Sequence, residues 1–349
     1  MDLTVVIVTS PSWTDPSLGL IEPVIASLAL VEGVESCIGG IKIVLDGYKI
    51  HKTAQTKRGR VTKEMAESYE LYYQNLANRY SLDSRFSLLR CPEHFGFAMA
   101  VRYGLEHCST EFALIVQHDR SFVASFDRLP QVLSTMRSVS WIRYAGFPSV
   151  MNCSHPRTLS CRYGLGGLVK EENRVRVEGE EAMELMPLAF WYDSNHIAHV
   201  GRYLEIFAPY TNLPLELREA IGRENVHQLL LRKGDFIEDR FGQAQRKLLT
   251  GSGLREDEAL LGRMHRWFGS YLIWDRRGCG QEDEDVTCRV YVGHLPGAKR
   301  GGQSYAIQTD THPLSKTCKR KEWVAAGRLS QSQPSSSVKD EVMEHLAAD

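Results

Sequence analysis

Residues 1–120 alternate short apolar runs with stretches of helical periodicity, and this alternation limits the folds that the chain can adopt. A long helix is predicted over residues 63–80, because apolar and aromatic side chains recur there at three- and four-residue steps. The apolar runs, which we interpret as strands, span residues 4–8, 41–45, 86–89 and 112–116. Strands that alternate with helices favour a parallel sheet with helices packed on it. The sequence therefore predicts an open, mainly parallel α/β sheet.

Beyond Pro148 the strict alternation stops. Residues 151–184 mix Gly, Cys, Arg and Glu with little periodicity, which indicates loops and short antiparallel strands. Helical patterning returns over residues 196–207, 215–221, 242–249 and 256–267, and an apolar run follows at residues 289–292. We expect a small antiparallel part and a helical region there. From residue 327 the composition shifts to Ser, Gln and Pro, which is typical of a disordered tail over 327–349.

Charge and hydropathy exclude some classes of protein. The 42 basic and 43 acidic residues give a formal net charge of -1, whereas a nucleic-acid binder normally carries a basic excess. No run approaches the roughly 18 apolar residues that a transmembrane helix needs. The N-terminus lacks a basic region ahead of an apolar one, so no signal peptide is predicted and a cytoplasmic setting is expected.

Two carboxylates end apolar runs of the predicted sheet. Asp46 follows residues 41–45 and precedes Gly47, while Asp119 follows residues 112–116 after Gln117 and His118. In an open α/β sheet, ligands bind beyond the carboxyl ends of the strands. Each Asp can equally be an ordinary turn residue after a strand. Between them, a helix with Gly96, Ala100 and Gly104 is expected to pack closely on the sheet, with its N-terminus open to a phosphate.

The order of these segments resembles the nucleotide-sugar-binding half of GT-A fold glycosyltransferases, and most closely the family 2-like group. The resemblance is carried by residues 5–9, by Val44-Leu45-Asp46-Gly47, by the helix from Gly96 to Gly104, and by residues 114–119. It implies a GT-A type sheet whose nucleotide-sugar half spans residues 1–150 and whose acceptor half spans residues 151–326. It also implies a set of donor-binding residues, which are Thr9, Asp46, Arg102 and Gln117.

The resemblance further implies a divalent cation, Mn2+ or Mg2+, held by an Asp-x-Asp signature at the end of the fourth strand. Here Gln117 replaces the first Asp, and Asp119 is kept. One carboxylate can suffice where diphosphate oxygens and water complete the shell. His294, after the late apolar run, matches a C-terminal His that several such enzymes bring back to the metal, although a structural role is the alternative. Lys299 and Arg300 either clamp the diphosphate or form a solvated loop.

In the acceptor half, Glu238-Asp239 matches a Glu-Asp pair that the family places at the start of a helix. By resemblance Asp239 is the catalytic base, with Glu238 second, while a capping role for both is the alternative. The aromatic and polar run over residues 190–196 suggests an acceptor wall that includes Trp191, Asp193 and Asn195. The alternative is that the polar residues cap the next helix and the rings belong to the core.

The function implied is a hexosyl or related transferase that moves a sugar from a nucleoside-diphosphate sugar to a hydroxyl of a carbohydrate or other acceptor, with inversion. Two alternatives stay open. One is a nucleotidyltransferase, although Thr9-Ser10-Pro11-Ser12 stands where a Gly-rich loop with a following Lys is expected. The other is a non-catalytic protein that binds a sugar or nucleotide, which the replacement at Gln117 favours.

Overall fold

The structure is a computed structural model, and it describes residues 1–251, 257–277 and 288–295. The predicted tail over residues 327–349, Lys299 and Arg300 lie outside these residues. The strands are β1 (Leu3–Thr9), β2 (Ile41–Leu45), β3 (Lys49–Ile50), β4 (Arg60–Val61), β5 (Phe86–Arg90), β6 (Phe112–Gln117), β7 (Arg120–Phe122), β8 (Tyr144–Gly146), β9 (Val175–Arg176), β10 (Met183–Pro187), β11 (His196–His199), β12 (Ser270–Asp275) and β13 (Val292–His294).

Nine strands form the main sheet in the order β5-β2-β1-β6-β11-β8-β12-β10-β9. Strands β5, β2, β1 and β6 are parallel to one another, and β8 is parallel to β12. Strand β11 runs antiparallel to both β6 and β8, and β10 runs antiparallel to β12 and β9. The prediction of an open, mainly parallel sheet with a small antiparallel part is therefore confirmed. Two short ribbons, β13-β7 and β3-β4, stand apart from it.

The α-helices are α1 (Ile21–Ser27), α2 (Lys63–Tyr80), α3 (Gly96–Glu106), α4 (Leu129–Ser138), α5 (His155–Arg157), α6 (Val200–Leu204), α7 (Pro209–Asn212), α8 (Leu215–Ile221), α9 (Arg223–Val226), α10 (Gln243–Leu249) and α11 (Glu258–Phe268). Two π-helical turns, Thr158–Arg162 and Glu238–Gly242, lie in the second half of the chain. The 3-10 turns are Leu28–Leu30, Val34–Ser36, Thr56–Arg58, Gly166–Val169, Glu171–Asn173, Glu205–Phe207 and His227–Leu229.

Helices cover both faces of the parallel strands. All seven residues of β1 are buried, and alternate residues such as Val5 and Ile7 join one core with α1, α2 and α4. On the other face α3 packs against β1 and β2, where a Cβ at Gly104 would lie 2.7 Å from Val6 and 2.9 Å from Val44. The close packing expected at Gly104 is thus confirmed. A strand buried on both faces needs a continuous apolar run, which β1 supplies.

The second half departs from the prediction at several elements. The helix expected over residues 196–207 begins only at Val200, because His196–His199 form β11 between β6 and β8. Within residues 196–207 the side chains that suggested a helical stripe are shared between a strand, α6 and a 3-10 turn. Strand β12 was not predicted, and β10 begins within residues 151–184, where short antiparallel strands were expected. In the described residues, no helix combines the length and the apolar character needed to cross a membrane.

Candidate functional site

The carboxyl ends of β2, β1 and β6 meet at one edge of the sheet. The pairing of β1 with β2 places Thr9 beside Leu45, and its pairing with β6 places Val8 beside Gln117. Asp46 follows β2 directly, and its N–H donates to the carbonyl of Thr9 over 2.9 Å. Asp119 comes two residues after β6. The two predicted carboxylates therefore lie at the same edge, on either side of the end of β1.

Asp119 and His294 are in direct contact at this edge. The Nε2 atom of His294 lies 3.1 Å from Oδ2 of Asp119. Burial alone would raise the pKa of Asp119, but the hydrogen bond from His294 and the charges of His118, His294 and Arg120 outweigh it and lower that pKa to about 2. The side chain of Asp119 keeps 27% of its surface exposed and that of His294 keeps 40%, so solvent reaches both.

Backbone pairing delivers His294 to this position. Strand β13 pairs antiparallel with β7, with His294 opposite Arg120. The N–H of Leu295 donates to the carbonyl of Asp119 over 2.8 Å. Asp119 is therefore held by the last described segment of the chain, residues 288–295, through both its backbone and its side chain.

Segment 288–295 is itself anchored through Tyr291, which is fully buried. Its ring contacts Phe126 at a centroid distance of 5.1 Å, and its hydroxyl donates to Asp275 at the end of β12. Arg277 also pairs with Asp275, over 2.8 Å, and with Asp127, over 3.1 Å. This network was not predicted, since its members are ordinary polar residues separated by long stretches of sequence.

Asn195 links the second half of the chain to the end of β6. Its side chain is fully buried; Nδ2 donates to the carbonyl of Arg120 over 3.0 Å, and Oδ1 accepts from the N–H of Gln117 over 3.4 Å. The Oε1 atom of Gln117 accepts from Nε of Arg120 over 3.4 Å. Asn195 therefore fixes the turn before Asp119, and the prediction that it faces an acceptor is corrected, because its amide is used inside the protein.

Asp193 and Glu238 hold each other through reciprocal hydrogen bonds. The N–H of Glu238 donates to Oδ1 of Asp193 over 3.0 Å, and the N–H of Asp193 donates to Oε2 of Glu238 over 3.2 Å. Burial and the charge of Glu238 raise the pKa of Asp193 well above its ordinary value, and Asp239 adds to this. Asp239 is exposed on the same π-helical turn. The Glu-Asp pair thus precedes a helix, α10, as predicted.

The carboxylate of Asp46 is not available to a ligand at this edge of the sheet. Oδ1 accepts from the N–H groups of Gly47 and Phe95, and Oδ2 accepts from Nδ1 of His94 and the N–H of Gly96, over 2.7–3.0 Å. Two carboxylate oxygens offer about four lone-pair sites, and these bonds occupy them. The predicted contact of Asp46 with a donor is therefore corrected to a structural role in which it caps α3.

The backbone groups at the N-terminus of α3 are also occupied by hydrogen bonds within the protein. Besides the bonds to Asp46, the N–H of Ala98 donates to the carbonyl of Asp235 over 3.0 Å, and the N–H of Gly234 donates to the carbonyl of Phe95 over 2.7 Å. The expectation that this helix end is open to a phosphate is wrong, because the chain ahead of Glu238 packs across it.

Two further residues that were predicted to bind the donor, Thr9 and Arg102, contact other side chains of the protein. The hydroxyl of Thr9 is buried and lies 3.2 Å from that of Tyr72. Arg102 pairs with Glu106 over 2.8 Å and lies over the ring of Phe207 at 5.7 Å, two turns along α3 from its N-terminus. Thr9 therefore stabilises the fold, which corrects its predicted contact with a donor, whereas the donor-binding role of the exposed Arg102 stays a prediction.

Trp191 belongs to the core, so its predicted place in an acceptor wall is corrected. It is fully buried, and its ring contacts Tyr144, Tyr203 and Phe241 at centroid distances of 4.9–5.3 Å. The capping alternative is also wrong for residues 193–195, because the N-cap of α6 is His199, whose side chain accepts from the N–H of Arg202.

The Asp119–His294 pair fits a divalent cation. Two ligands on adjacent corners of an octahedron at about 2.1 Å from a cation are about 3 Å apart, which matches the observed 3.1 Å. A carboxylate oxygen and an imidazole nitrogen suit Mn2+. Within residues 1–251, 257–277 and 288–295, no group of three or more His, Cys, Asp or Glu side chains is placed to hold a metal ion. Substrate oxygens and water would have to complete the shell.

A pocket of about 210 Å3 opens beside Asp46, between the ends of β2 and β5. Its lining includes Tyr48, Tyr69, Arg90 and Glu93. Asp15, in the loop after β1, is another residue that the sequence did not indicate. Burial raises the pKa of Asp15 to about 6, against hydrogen bonds from Ser12 and the charge of His118, which lower it.

No protein-family model matches the chain, and no curated protein matches it. Among solved structures, it is similar to S. aureus TarS in complex with UDP-GlcNAc, with 10% identity, a TM-score of 0.38, and coverage of 97% of this chain and 69% of that one. GalNAc-T7 with UDP, GalNAc and Mn2+ gives 10% identity, a TM-score of 0.38, and coverage of 92% and 48%. The mannosyltransferase PcManGT from Pyrobaculum calidifontis, in complex with GDP-Man and Mn2+, has 9% identity and a TM-score of 0.33. The similarity covers 76% of this chain and 73% of that one.

The chain spans only 36% and 60% of the length of two other TarS chains to which it is similar. What this protein does is therefore inferred from its own residues.

Proposed function

We propose that the protein is a metal-dependent glycosyltransferase of the GT-A type, which transfers a sugar from a nucleoside-diphosphate sugar to a hydroxyl of a carbohydrate or other acceptor, with inversion. The observation that carries this proposal is the meeting of Asp119 and His294 at the carboxyl edge of a mainly parallel sheet. Ligands of such sheets bind at this edge. The Glu238–Asp239 turn is tied to the same edge through Asp193 and Asn195.

In this proposal Asp119 and His294 hold Mn2+ or Mg2+. When bound, the cation neutralises the charge of the departing nucleoside diphosphate. The low pKa of Asp119 keeps its carboxylate ionised at neutral pH. Arg120 directly follows Asp119, and its positive charge adds to the attraction for phosphate oxygens.

Asp239 is the proposed base that takes the proton from the attacking acceptor hydroxyl. Its carboxylate is exposed, and the preceding residue, Glu238, bonds to buried Asp193. The reciprocal bonds between Asp193 and Glu238 fix the turn that carries Asp239. Glu238 therefore acts as a positioning residue in this arrangement, although it was the second candidate for the base.

The test is release of nucleoside diphosphate from a panel of nucleoside-diphosphate sugars with Mn2+, with and without acceptors. We expect Asp119→Ala to abolish metal-dependent donor binding, and Asp239→Asn to keep donor binding while turnover falls. Asp83→Asn is the matched control, because Asp83 is a surface carboxylate paired with Arg85. Donor binding by Asp119→Ala at the wild-type level would exclude the proposed metal site.

A second candidate, a non-catalytic protein that binds a sugar nucleotide, is favoured by one observation. Gln117 takes the place of a carboxylate, and its side chain bonds to Arg120 within the protein. Donor binding without turnover, across the whole panel and a range of acceptors, would support this alternative.

A further inference from the structure

Two arginines and three aromatic residues meet beside the Glu238–Asp239 turn. We call them the arginine–aromatic cluster; its members are Arg162, Tyr163, Phe190, Tyr192 and Arg246. They come from three separate parts of the chain, which are the end of the π-helical turn Thr158–Arg162, the loop between β10 and β11, and α10. Phe190 and Tyr192 belong to the run over residues 190–196 that suggested an acceptor wall, whereas Arg162, Tyr163 and Arg246 were not predicted.

The rings hold the arginines by their faces. The guanidinium carbon of Arg246 lies 5.8 Å from the ring centroids of both Tyr163 and Phe190. That of Arg162 lies 5.7 Å from the ring of Tyr163. The rings of Phe190 and Tyr192 are in edge contact at 5.0 Å. A guanidinium stacked on a ring is held in place while its N–H groups stay at the edge, where they can donate to an oxyanion.

A guanidinium that is not paired with a carboxylate can donate to the oxyanion of a ligand instead. Within the part of the chain that the structure describes, neither Arg162 nor Arg246 forms a salt bridge with a carboxylate. Arg246 donates from Nη2 to Oε1 of Gln243 over 2.6 Å, which is a neutral partner. By contrast, Arg263 pairs with Glu216 over 2.8 Å. Arg162 is exposed and Arg246 is half-buried, so a ligand can reach both.

The cluster adjoins the proposed base. Tyr192 directly precedes Asp193, whose N–H donates to Glu238. Burial raises the pKa of Tyr192, as do the charges of Tyr163 and Glu238, while Arg162 and Arg246 oppose this shift. Tyr192 therefore links the two regions: the next residue bonds to Glu238, and the ring of Tyr192 contacts Phe190, over which Arg246 lies.

We propose that the arginine–aromatic cluster binds an oxyanion, a phosphate or carboxylate group, carried by the acceptor. The inference rests on the proposed function, and it names the class of acceptor. The oxyanion lies at the arginines, and the acceptor hydroxyl reaches the Glu238–Asp239 turn. Repulsion by the acidic turn keeps the charged end of the acceptor away from the base, which orients the molecule. The aromatic rings contact the apolar C–H faces between the two ends.

The experiment compares glucose 6-phosphate, glucuronate and glucose by calorimetric titration in the presence of Mn2+ and saturating UDP or GDP, whichever binds. The nucleoside diphosphate fills the donor site, so a phosphate probe cannot bind there. We expect at least one of the two anionic probes to bind at least tenfold more tightly than glucose, and the better probe identifies the oxyanion. Equal affinity for all three would overturn the inference.

The double variant Arg162→Gln/Arg246→Gln should lose at least tenfold in affinity for the anionic probe. Arg263→Gln, an arginine change outside the cluster, should keep it. If the double variant fails to unfold cooperatively, Arg162→Gln alone carries the test, since Arg162 is exposed on the surface. Wild-type affinity in the folded variant would overturn the inference.

Failure of the inference is separable from failure of the proposed function. Acceptor-independent release of nucleoside diphosphate by the wild-type protein reports on the donor site alone. Release without preference for an anionic probe overturns the cluster's role and leaves the transferase proposal standing. Preference for an anionic probe, lost in the double variant but without release from any donor, supports the oxyanion site and contradicts the transferase proposal.

Discussion

The imidazole of His294 lies 3.1 Å from the carboxylate of Asp119, although 175 residues separate them in the chain. Pairing of β13 with β7 brings the two together, and the bond from Leu295 to the carbonyl of Asp119 fixes their register. A contact between such distant residues is costly in chain entropy and needs support from its surroundings. That support comes from Tyr291 and Asp275.

Replacement of His294 with Ala should weaken Mn2+ binding at least tenfold, because it removes one of two protein ligands. Electron paramagnetic resonance of free Mn2+ in a titration measures this directly, without any need for turnover. His107→Ala is the control, since His107 is exposed at the end of α3. Equal Mn2+ affinity in the wild type and in His294→Ala would remove His294 from the metal site.

Replacement of Tyr291 with Phe should lower stability by about 1–3 kcal/mol, because Asp275 is fully buried and loses a hydrogen-bond donor. The affinity for Mn2+ should fall as well, because segment 288–295 carries His294. Urea unfolding and the Mn2+ titration measure the two effects. Tyr73→Phe on α2 is the matched control. A destabilised variant with unchanged Mn2+ affinity would show that the network stabilises the fold without positioning His294.

Alanine substitutions at Gly96 and Gly179 can be compared to measure how tightly residues 234–239 pack on α3. Both have a φ of +74°, but a Cβ at Gly96 would lie 2.6 Å from Cα of Gly234, whereas one at Gly179 would meet nothing within 4 Å. Gly179→Ala should cost about 1–2 kcal/mol from backbone strain alone. Gly96→Ala should cost at least about 1 kcal/mol more, or prevent folding, as measured by urea unfolding. Equal costs would mean that residues 234–239 can move away from α3.

Asp15 should make stability depend on pH. Its pKa is about 6 in the folded protein, above the ordinary value of 3.8, so the folded state holds a proton that the unfolded state has already released. The contribution of Asp15 to the free energy of unfolding is therefore fully present below about pH 4. It is lost as the pH rises to about 6, by up to about 3 kcal/mol. Urea unfolding between pH 4 and pH 7 should show that Asp15→Asn gains stability relative to the wild type across this window.

The control for Asp15→Asn is Asp83→Asn, because the stability that Asp83 contributes changes with pH in the opposite direction. Hydrogen bonds from Arg85 lower the pKa of Asp83, so its contribution is present above the ordinary value and is lost as the pH falls. If the difference between Asp15→Asn and the wild type were independent of pH, Asp15 would have an ordinary pKa.

The sequence predicted the parallel half of the sheet well, because β1, β2, β5 and β6 are apolar runs of a length that leaves little choice of structure. It also indicated Asp119 and His294, since both follow such runs. It did not show how Asp46 is used. The position of a carboxylate after a strand is visible in a sequence, but the four hydrogen bonds that occupy it come from His94, Phe95, Gly96 and Gly47 after folding.

The errors in the second half have a common cause. His196–His199 form a strand because β6 and β8 leave a place between them, and that place is created by tertiary pairing. Trp191 reads equally as an exposed ring or a core ring until its neighbours are known. Ser270–Asp275 did carry a usable signal, a short apolar run directly after Gly269, and β12 could have been predicted from it.

The pairing of β13 with β7 also determines when, during synthesis, the proposed cation site can form. A ribosome makes residues 1–251 first, and these hold Asp119, Asp193 and the Glu238 turn, but the partner of Asp119 emerges only with residue 294. A nascent chain that has already closed its sheet would still lack half of the proposed cation site. Both protein ligands of the proposed cation site would therefore be present only once residue 294 has been added.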